Sequence, residues 1–168
     1  MIQSFSEETM NQLLAEINKY KIDRRPMDKS LLEVIEKSVS SYGIPRSFDG
    51  NVESYLEALL GWPRHNLFTY GTLMPGEVNH QILDSSFGAW QKGHSKGHLF
   101  KIGWGMDYGL PAMKWDPQGQ IIPGRLFVSK QLDWQMLDDF EGPQYQRIWV
   151  LVFGKDKILA VANAYQGV

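Results

Sequence analysis

One segment organises the chain: Asn66-Leu67-Phe68-Thr69-Tyr70-Gly71-Thr72-Leu73-Met74-Pro75-Gly76. Its first residues have the apolar and aromatic side chains of a short buried strand, which Gly71 ends. Because glycine lacks a Cβ, we expect Gly71 to adopt a positive φ or to allow close approach of another group. If the N–H groups of Gly71, Thr72 and Leu73 turn inward together, they can hold a carboxylate without a basic side chain. An ordinary strand exit has the same local pattern.

A second informative segment is a short predicted helix that ends at an acidic residue. Its apolar residues recur at helical spacing: Leu132, Met136, Leu137 and Phe140. Ser129 can cap its start and Gly142-Pro143 ends it, so Glu141 lies at the C-terminus. The helix macrodipole is negative at that end, and Asp138 and Asp139 add like charge. Both effects, together with any burial, predict a raised pKa for Glu141, which suits proton transfer.

Composition limits the classes of partner. The 168 residues are 43% hydrophobic and 21% charged, as in an ordinary globular protein. Seventeen Lys and Arg oppose 19 Asp and Glu with no basic run, so neither nucleic acid nor a membrane is expected as a partner. A small neutral or zwitterionic molecule fits better. The absence of cysteine excludes disulfides, thiolate metal sites and a cysteine nucleophile. With no signal-peptide pattern at the N-terminus, we expect a cytoplasmic protein.

Residues 1–62 are predicted to be helical. The first helix is capped by Ser4 or Ser6, and the second by Ser30, with Gly43 and Pro45 after its end. These helices and a third before residue 61 each have one apolar face: Met10, Leu13, Leu14 and Ile17; Leu31, Leu32, Ile35 and Val39; Val52, Tyr55, Leu56, Leu59 and Leu60. No catalytic pattern occurs there. We expect an N-terminal extension that docks on the rest of the chain and is available for contact with a partner protein.

Residues 63–168 are predicted to form a β-rich domain, because short apolar runs alternate with turn residues. Asp116-Pro117-Gln118-Gly119 predicts a hairpin between residues 112–115 and 121–127. Residues 148–153 are apolar on both alternating faces, which places that strand centrally with both faces covered. The predicted fold class is α+β: a small, mostly antiparallel β-barrel or sheet with a few short helices, preceded by the helical extension.

Two motifs, in order, resemble those of the gamma-glutamylcyclotransferase-like family. Tyr70-Gly71-Thr72-Leu73, followed by Asn79-His80, resembles the opening motif, Tyr-Gly-Ser/Thr-Leu. Leu137-Asp138-x-Phe140-Glu141-Gly142, followed by Tyr145 and Arg147, resembles the second. Similar landmarks lie between them: Gly97-His98-Leu99-Phe100, Leu110-Pro111-Ala112 and Gly124-Arg125-Leu126-Phe127. The resemblance covers roughly residues 66–165, and the helical extension is outside it.

The resemblance implies an enzyme of the acyltransferase or lyase type. Such an enzyme folds a γ-glutamyl amide so that its own α-amine attacks the γ-carbonyl, giving 5-oxoproline and a free amine. The resemblance implies that Glu141 is the residue that corresponds to the catalytic acid/base of the family. The substrate-binding loop falls on Tyr70, Gly71, Thr72 and Leu73. We expect Tyr145 to orient the substrate ammonium or carboxylate, and neither a metal nor an organic cofactor is implied.

One alternative of another class stays open. A non-catalytic protein with this fold would use the same cavity to bind a small ligand while its helices contact a partner. Leu110 stands where the family usually has an aromatic residue. The extension could cover or narrow the mouth of the cavity, so it leaves the choice of substrate and the oligomeric state open. His94 and His98 are spaced as on one face of a strand and have no acidic pair with metal-ligand spacing, so we expect no metal there.

Overall fold

The computed structural model describes residues 5–39, 50–103 and 109–168. The chain divides into two compact units, Met1–Trp62 and Pro63–Val168. The described part of the first unit contains three α-helices: α1 (Glu7–Ile22), α2 (Lys29–Ser38) and α3 (Val52–Leu59). No helix in the described residues combines the length and apolar character needed to cross a bilayer.

The helices begin at polar caps, one of which differs from the sequence prediction. Ser6 caps α1 by accepting a hydrogen bond from Thr9 N at 3.1 Å, as one of the two predicted options. The prediction of Ser30 for α2 is wrong, because Asp28 accepts from Ser30 N at 3.0 Å and the helix begins two residues before the predicted first turn. The helix α2 ends at Ser38, and the predicted stop at Gly43 and Pro45 lies outside the described residues.

The apolar faces predicted for the three helices are buried, except for Tyr55, which is half-buried. The buried residues include Met10, Leu13, Leu14, Ile17, Leu31, Leu32, Ile35, Val52, Leu56, Leu59 and Leu60. A hydrogen bond of 2.8 Å between the Tyr20 and Ser30 hydroxyls joins α1 to α2. The 3.6-residue period therefore identified the packing face correctly even where the cap was wrong.

The second unit is a small barrel with one helix beside it. Its strands are β1 (Asn66–Thr69), β2 (Ala89–Ile102), β3 (Leu110–Trp115), β4 (Gln120–Val128), β5 (Tyr145–Phe153) and β6 (Ile158–Gly167). Helix α4 (Trp134–Glu141) lies between β4 and β5 in the chain, and 3₁₀ turns cover Pro63–His65 and His80–Leu83.

The strands of this unit follow the order β3-β2-β4-β1-β6-β5, and pairing between β2 and β5 at His94 and Phe153 closes a ring. The ring contains β2, β4, β1, β6 and β5, and β3 extends it beside β2. The pairing of β1 with β6 is parallel, and the other described pairings are antiparallel. The predicted fold class, α+β with a small, mostly antiparallel barrel, is confirmed.

The predicted hairpin at Asp116–Gly119 is wrong. Strand β3 pairs with residues 97–102 of β2 and β4 pairs with residues 89–97, both antiparallel, so β3 and β4 run in the same direction. The local turn does form, with Gly119 N donating to Asp116 O at 2.9 Å. Gly119 lies so close to Gly97 that a Cβ would stand 2.6 Å from its carbonyl oxygen. Turn chemistry set the bend, but pairing with the long strand β2 set the direction.

Two apolar clusters build this unit. Phe68, Leu126, Ile148, Val150 and Val152 belong to one, with residues from β3, β4 and β6. The other combines β1 and β4 with residues near α4, and its members are Leu67, Leu73, Leu83, Phe127, Leu137 and Tyr165. All residues from 148 to 152 are buried, which confirms that both faces of β5 are covered. Tyr165 and Leu73 in the second cluster also line a cavity near the end of β1.

Candidate active site

A cavity of about 140 Å³ opens where β1 ends, next to the C-terminal turn of α4. All six site residues predicted from the sequence line it: Tyr70, Gly71, Thr72, Leu73, Glu141 and Tyr145. The wall is completed by Leu67, Phe68, Thr69, Asn79, Leu110, Pro111, Phe140 and Tyr165. Two segments about 70 residues apart in the sequence therefore face one space. Among the described lining residues, Glu141 is the only Asp, Glu, Lys, Arg or His.

We call Gly71, Thr72 and Leu73 the cradle. Hydrogen bonds from the following Asn79-His80 pair hold it. Asn79 donates from its backbone N to Thr72 O and from Nδ2 to Thr72 Oγ1, both at 3.0 Å. His80 Nδ1 donates to Leu73 O at 3.1 Å. Three bonds from two adjacent residues thus restrain the cradle on one side.

The carbonyl groups of the cradle have hydrogen-bond partners among the described residues, but its N–H groups have none. The Gly71 and Thr72 carbonyls accept from Met74 N and Asn79 N, and the Leu73 carbonyl accepts from His80. The N–H groups of all three cradle residues donate to no other described residue. Buried or half-buried backbone donors normally have partners, so three consecutive ones beside a cavity indicate a place for an acceptor from outside the chain.

The structure rules out one of the two alternatives expected for Gly71, the positive φ. Its φ is not in the positive range that favours glycine, whereas the φ of Gly76 is 86°. A Cβ on Gly71 would meet Pro111 Cγ at 3.4 Å, which is ordinary van der Waals contact. The glycine therefore gives room between the cradle and Pro111 and is not needed for a left-handed turn.

The two predicted tyrosines make different hydrogen bonds. The Tyr70 hydroxyl donates to Tyr165 O at 2.6 Å and accepts from Met113 N at 3.0 Å, so it joins the end of β1 to β6 and β3. The Tyr145 hydroxyl donates to Pro111 O at 2.9 Å, and its lone pairs are uncommitted among the described contacts. Burial raises the pKa of Tyr70, and burial followed by the nearby Glu141 charge raises that of Tyr145. Both hydroxyls stay neutral near pH 7.

Glu141 is the last residue of α4, as predicted, although the helix begins at another cap. Asp133 accepts from Met136 N at 3.0 Å, while Ser129 accepts from Gln131 N, so the predicted Ser129 cap is wrong. After Glu141 the chain leaves the helix through Gly142, which has a φ of 72°. That left-handed conformation directs the chain out of α4 and leaves the preceding carboxyl group at the cavity.

Burial raises the pKa of Glu141 to about 7, from an ordinary value of 4.5. The increase in the pKa agrees with the prediction. The predicted cause is different, because desolvation raises the pKa and the expected contribution of Asp138 and Asp139 is not found. Asp138 forms a two-pronged ion pair with Arg147, at 2.8 Å to Nε and 3.1 Å to Nη2. The side chain of Asp139 accepts from Gln135 at 3.0 Å. A carboxyl group with this pKa exchanges protons readily near neutrality.

Sequence reasoning missed Tyr165 and Asn79 as parts of the site. Tyr165 donates to Asp138 Oδ1 at 2.6 Å while its carbonyl accepts from Tyr70, 95 residues away. No local pattern in β6 distinguishes it from a core tyrosine. Asn79 had a signal, since the Asn79-His80 pair was part of the resemblance, but its contact with Thr72 required the fold.

The histidines of β2 are engaged in other contacts. His98 Nε2 lies 2.8 Å from Asp116 Oδ2, and the His94 ring stacks on Phe153 with centroids 5.4 Å apart. Within residues 5–39, 50–103 and 109–168, no three His, Asp or Glu side chains are grouped as metal ligands.

Residues 67–166 match the family described as gamma-glutamyl cyclotransferase, AIG2-like. Comparison with curated protein sequences gives no match. Solved structures similar to this chain include YkqA from Bacillus subtilis, with 27% identity and a TM-score of 0.48, over 61% of this chain and 35% of that protein. An AIG2-like protein from Mus musculus is 22% identical with a TM-score of 0.48, over 62% and 77% of the two chains.

A protein of Arabidopsis thaliana is 24% identical with a TM-score of 0.46, and the match covers 62% of each chain. The chain thus spans about a third of the Bacillus protein and larger parts of the mouse and plant proteins. The family match extends from the start of β1 to the end of β6 and includes the cradle, α4 and every lining residue of the cavity. Since it covers more than half of the sequence, the chain belongs to the AIG2-like gamma-glutamyl cyclotransferase family.

Proposed function

We propose that this protein is a cofactor-independent γ-glutamyl cyclotransferase. Its substrate is a γ-glutamyl amide, and its products are 5-oxoproline and a free amine. The observation that carries the proposal is the shared cavity: a lone carboxyl group with a pKa of about 7 faces three backbone donors that lack acceptors among the described residues. One wall suits an anion and the other suits proton transfer.

Glu141 is the proposed acid and base. Its carboxylate removes a proton from the α-ammonium, and the resulting amine attacks the γ-carbonyl carbon to form the C–N bond of the ring. The protonated Glu141 then donates that proton to the leaving nitrogen as the original amide C–N bond breaks. The ring nitrogen still carries one proton too many, and the regenerated carboxylate removes it and passes it to the released amine, which leaves as an ammonium ion. With both proton transfers, atoms and charge balance without a further reactant, and Glu141 ends as the carboxylate. A pKa close to the working pH favours both transfers by the same group.

The cradle is the proposed site for the substrate α-carboxylate. N–H groups of Gly71, Thr72 and Leu73 would bind it, because no basic side chain is found among the described lining residues. Tyr145 is better suited to the α-ammonium than to the carboxylate, since its proton is committed to Pro111 O and its lone pairs accept. Both of these groups are on the α-carbon, so the two contacts would fix the nucleophilic end of the glutamyl group. Orienting that end toward the γ-carbonyl is the main source of rate in an intramolecular reaction.

The cavity is large enough for only part of the proposed substrate. A protein cavity of about 150 Å³ accepts a molecule the size of benzene, so about 140 Å³ suits the glutamyl part alone. Leu110 and Phe140 line the cavity and yet are 36% and 38% exposed, so they form part of its rim. The leaving amine would therefore extend past these two side chains, and its chemical identity is best found by experiment.

A panel of γ-glutamyl amides that differ in the leaving amine tests the proposal. The purified chain is incubated with each, and 5-oxoproline is measured by mass spectrometry. We expect release from at least one member and none with Glu141→Gln. The matched control is Asp139→Asn, which alters an exposed acid two residues away and should retain activity. Binding of panel members without 5-oxoproline in any reaction would favour the non-catalytic ligand-binding alternative.

A further inference from the structure

The Asp138–Arg147 ion pair lies beside the cavity and is not used by the reaction above. Asp138 is on α4, three residues before Glu141, and Arg147 is on β5. The guanidinium also donates to Asn163 Oδ1 at 3.2 Å and lies over the Trp134 ring, 4.7 Å from its centroid. Four described residues from α4, β5 and β6 therefore meet in one cluster, which fixes the helix against the barrel.

Tyr165 connects this cluster to the cavity. Its hydroxyl donates to Asp138 Oδ1 at 2.6 Å, and its carbonyl accepts from Tyr70 at 2.6 Å. Tyr165 lines the cavity, and Tyr70 directly precedes Gly71. A continuous path of hydrogen bonds and covalent bonds thus runs from the helix that carries Glu141 to the cradle. The two walls of the cavity share one support.

The cluster has no net charge, because Asp138 and Arg147 carry opposite charges. Asp138 is 40% exposed and Arg147 is 26% exposed at the side chain, so neither is fully screened by water. The groups that face Glu141 from the neighbouring elements are tyrosines: Tyr70 after β1, Tyr145 on β5 and Tyr165 on β6. All three have raised pKa values because they are buried, so they remain neutral near pH 7. On α4 itself, the other described acids near Glu141 are Asp138 and Asp139.

We propose that Asp138 and Arg147, coupled to the cavity through Tyr165, are positioning residues for Glu141 that hold its helix in place without adding net charge to the site. The inference rests on the proposed role of Glu141. Unlike apolar packing, an ion pair affects the ionisation of Glu141 when either of its charges is removed. Neutralising Asp138 leaves a cation beside the site, which favours the ionised carboxylate of Glu141. Neutralising Arg147 leaves an anion, which disfavours it.

The test compares Asp138→Asn, Arg147→Gln and the double variant. The ionisation of Glu141 is followed by carbon-13 NMR of its carboxyl group, identified by its absence in Glu141→Gln. The acidic limb of kcat/KM is followed in parallel. As a general scale, a unit charge at a separation on the order of 10 Å and an effective dielectric constant of 20–40 shifts a midpoint by roughly 0.6–1.2 pH units. We expect Asp138→Asn to lower the midpoint, Arg147→Gln to raise it, and the double variant to return near the wild-type value.

Asp139→Asn is the matched control, because it removes the same charge from the same helical turn at an exposed position outside the cluster. Water and salt screen that carboxylate, so its removal should leave the midpoint in place. Equal shifts in Asp138→Asn and Asp139→Asn, or no shift in Asp138→Asn, would overturn the inference. If Arg147→Gln does not fold, the Asp138→Asn and Asp139→Asn pair still decides. The NMR titration needs no turnover, so opposite shifts without any 5-oxoproline would support the ion-pair role and contradict the proposed enzyme activity.

Discussion

The two walls of the cavity are made of different parts of the polypeptide. The cradle offers backbone N–H groups, and the bonds that restrain it come from Asn79 and His80. The opposite wall, which we call the acid wall, offers the single side chain of Glu141 at the end of α4. Backbone donors suit recognition of an anion, whereas a half-buried carboxyl group suits proton transfer. Changes in the cradle should therefore act mainly on KM, and changes in the acid wall mainly on kcat.

The largest expected effect is on the acid wall. Glu141→Gln keeps the size of the side chain but cannot transfer a proton, so we expect kcat to fall about 10²- to 10⁴-fold. KM should change little, because the cradle is untouched. Steady-state kinetics on the best panel substrate measure both. A proportionate loss of activity and of folded protein would instead assign Glu141 a structural role.

The acid wall should also make stability depend on pH. The folded pKa of Glu141, about 7, is above its ordinary value of 4.5, so its stabilising contribution is complete below pH 4.5 and is lost as pH rises through 7. The expected loss in the free energy of unfolding is about 2–3 kcal/mol relative to Glu141→Gln, which has no such titration. Urea denaturation of both proteins at pH 5 and pH 8 measures this difference. Parallel pH dependence of the two would contradict a buried, titrating carboxyl group.

In the cradle, Gly71→Val should act on substrate binding. A Cβ alone fits against Pro111, but the two methyl groups of valine would also occupy the space between the cradle and Pro111. Loss of one charge-assisted hydrogen bond costs about 1.5–3 kcal/mol, so we expect KM to rise roughly 10- to 100-fold with a smaller change in kcat. Gly71→Ala should have a much smaller effect. An unchanged KM in folded Gly71→Val would remove the cradle from the binding site.

Tyr145 faces both walls, and Tyr145→Phe should have an intermediate effect. The variant loses the hydroxyl that is bonded to Pro111 O and that is proposed to accept from the substrate ammonium. A hydrogen bond of about 1–1.5 kcal/mol corresponds to a roughly five- to tenfold loss in kcat/KM. The assay should be repeated with a γ-amide whose α-amine is methylated, because the effect of Tyr145→Phe should shrink there. The same loss with both substrates would limit Tyr145 to holding Pro111.

The smallest effect is expected from the support of the cradle. Asn79→Ala and Thr72→Val each remove the hydrogen bond between Asn79 Nδ2 and Thr72 Oγ1. Each should raise KM about fivefold, corresponding to about 1 kcal/mol. Because both remove one interaction, the double variant should be only slightly worse than either single variant. Fully additive effects would show that the two side chains act separately.

Several predictions that depended on interactions within a few residues were accurate. The apolar faces of α1 to α3 and the end of α4 at Glu141 follow from periodicity and a following Gly-Pro pair. The helix caps were less accurate. For α2 and α4 the cap is an aspartate, Asp28 or Asp133, and the serine chosen from the sequence was wrong, because several polar residues near a helix start compete for the same N–H groups.

What the sequence by itself determined is the local chemistry: a short strand before Gly71, which ends at Thr69, a helix that ends at Glu141, and a strand that is apolar on both faces and must be covered. Only the tertiary structure decided what surrounds them. Strand β2 determined the direction of β3 and β4, which the turn at 116–119 alone did not. Burial set the pKa of Glu141, and contacts across 95 residues brought Tyr165 to Tyr70. Local rules act through neighbouring backbone groups, whereas desolvation and strand partners depend on residues that only folding brings close.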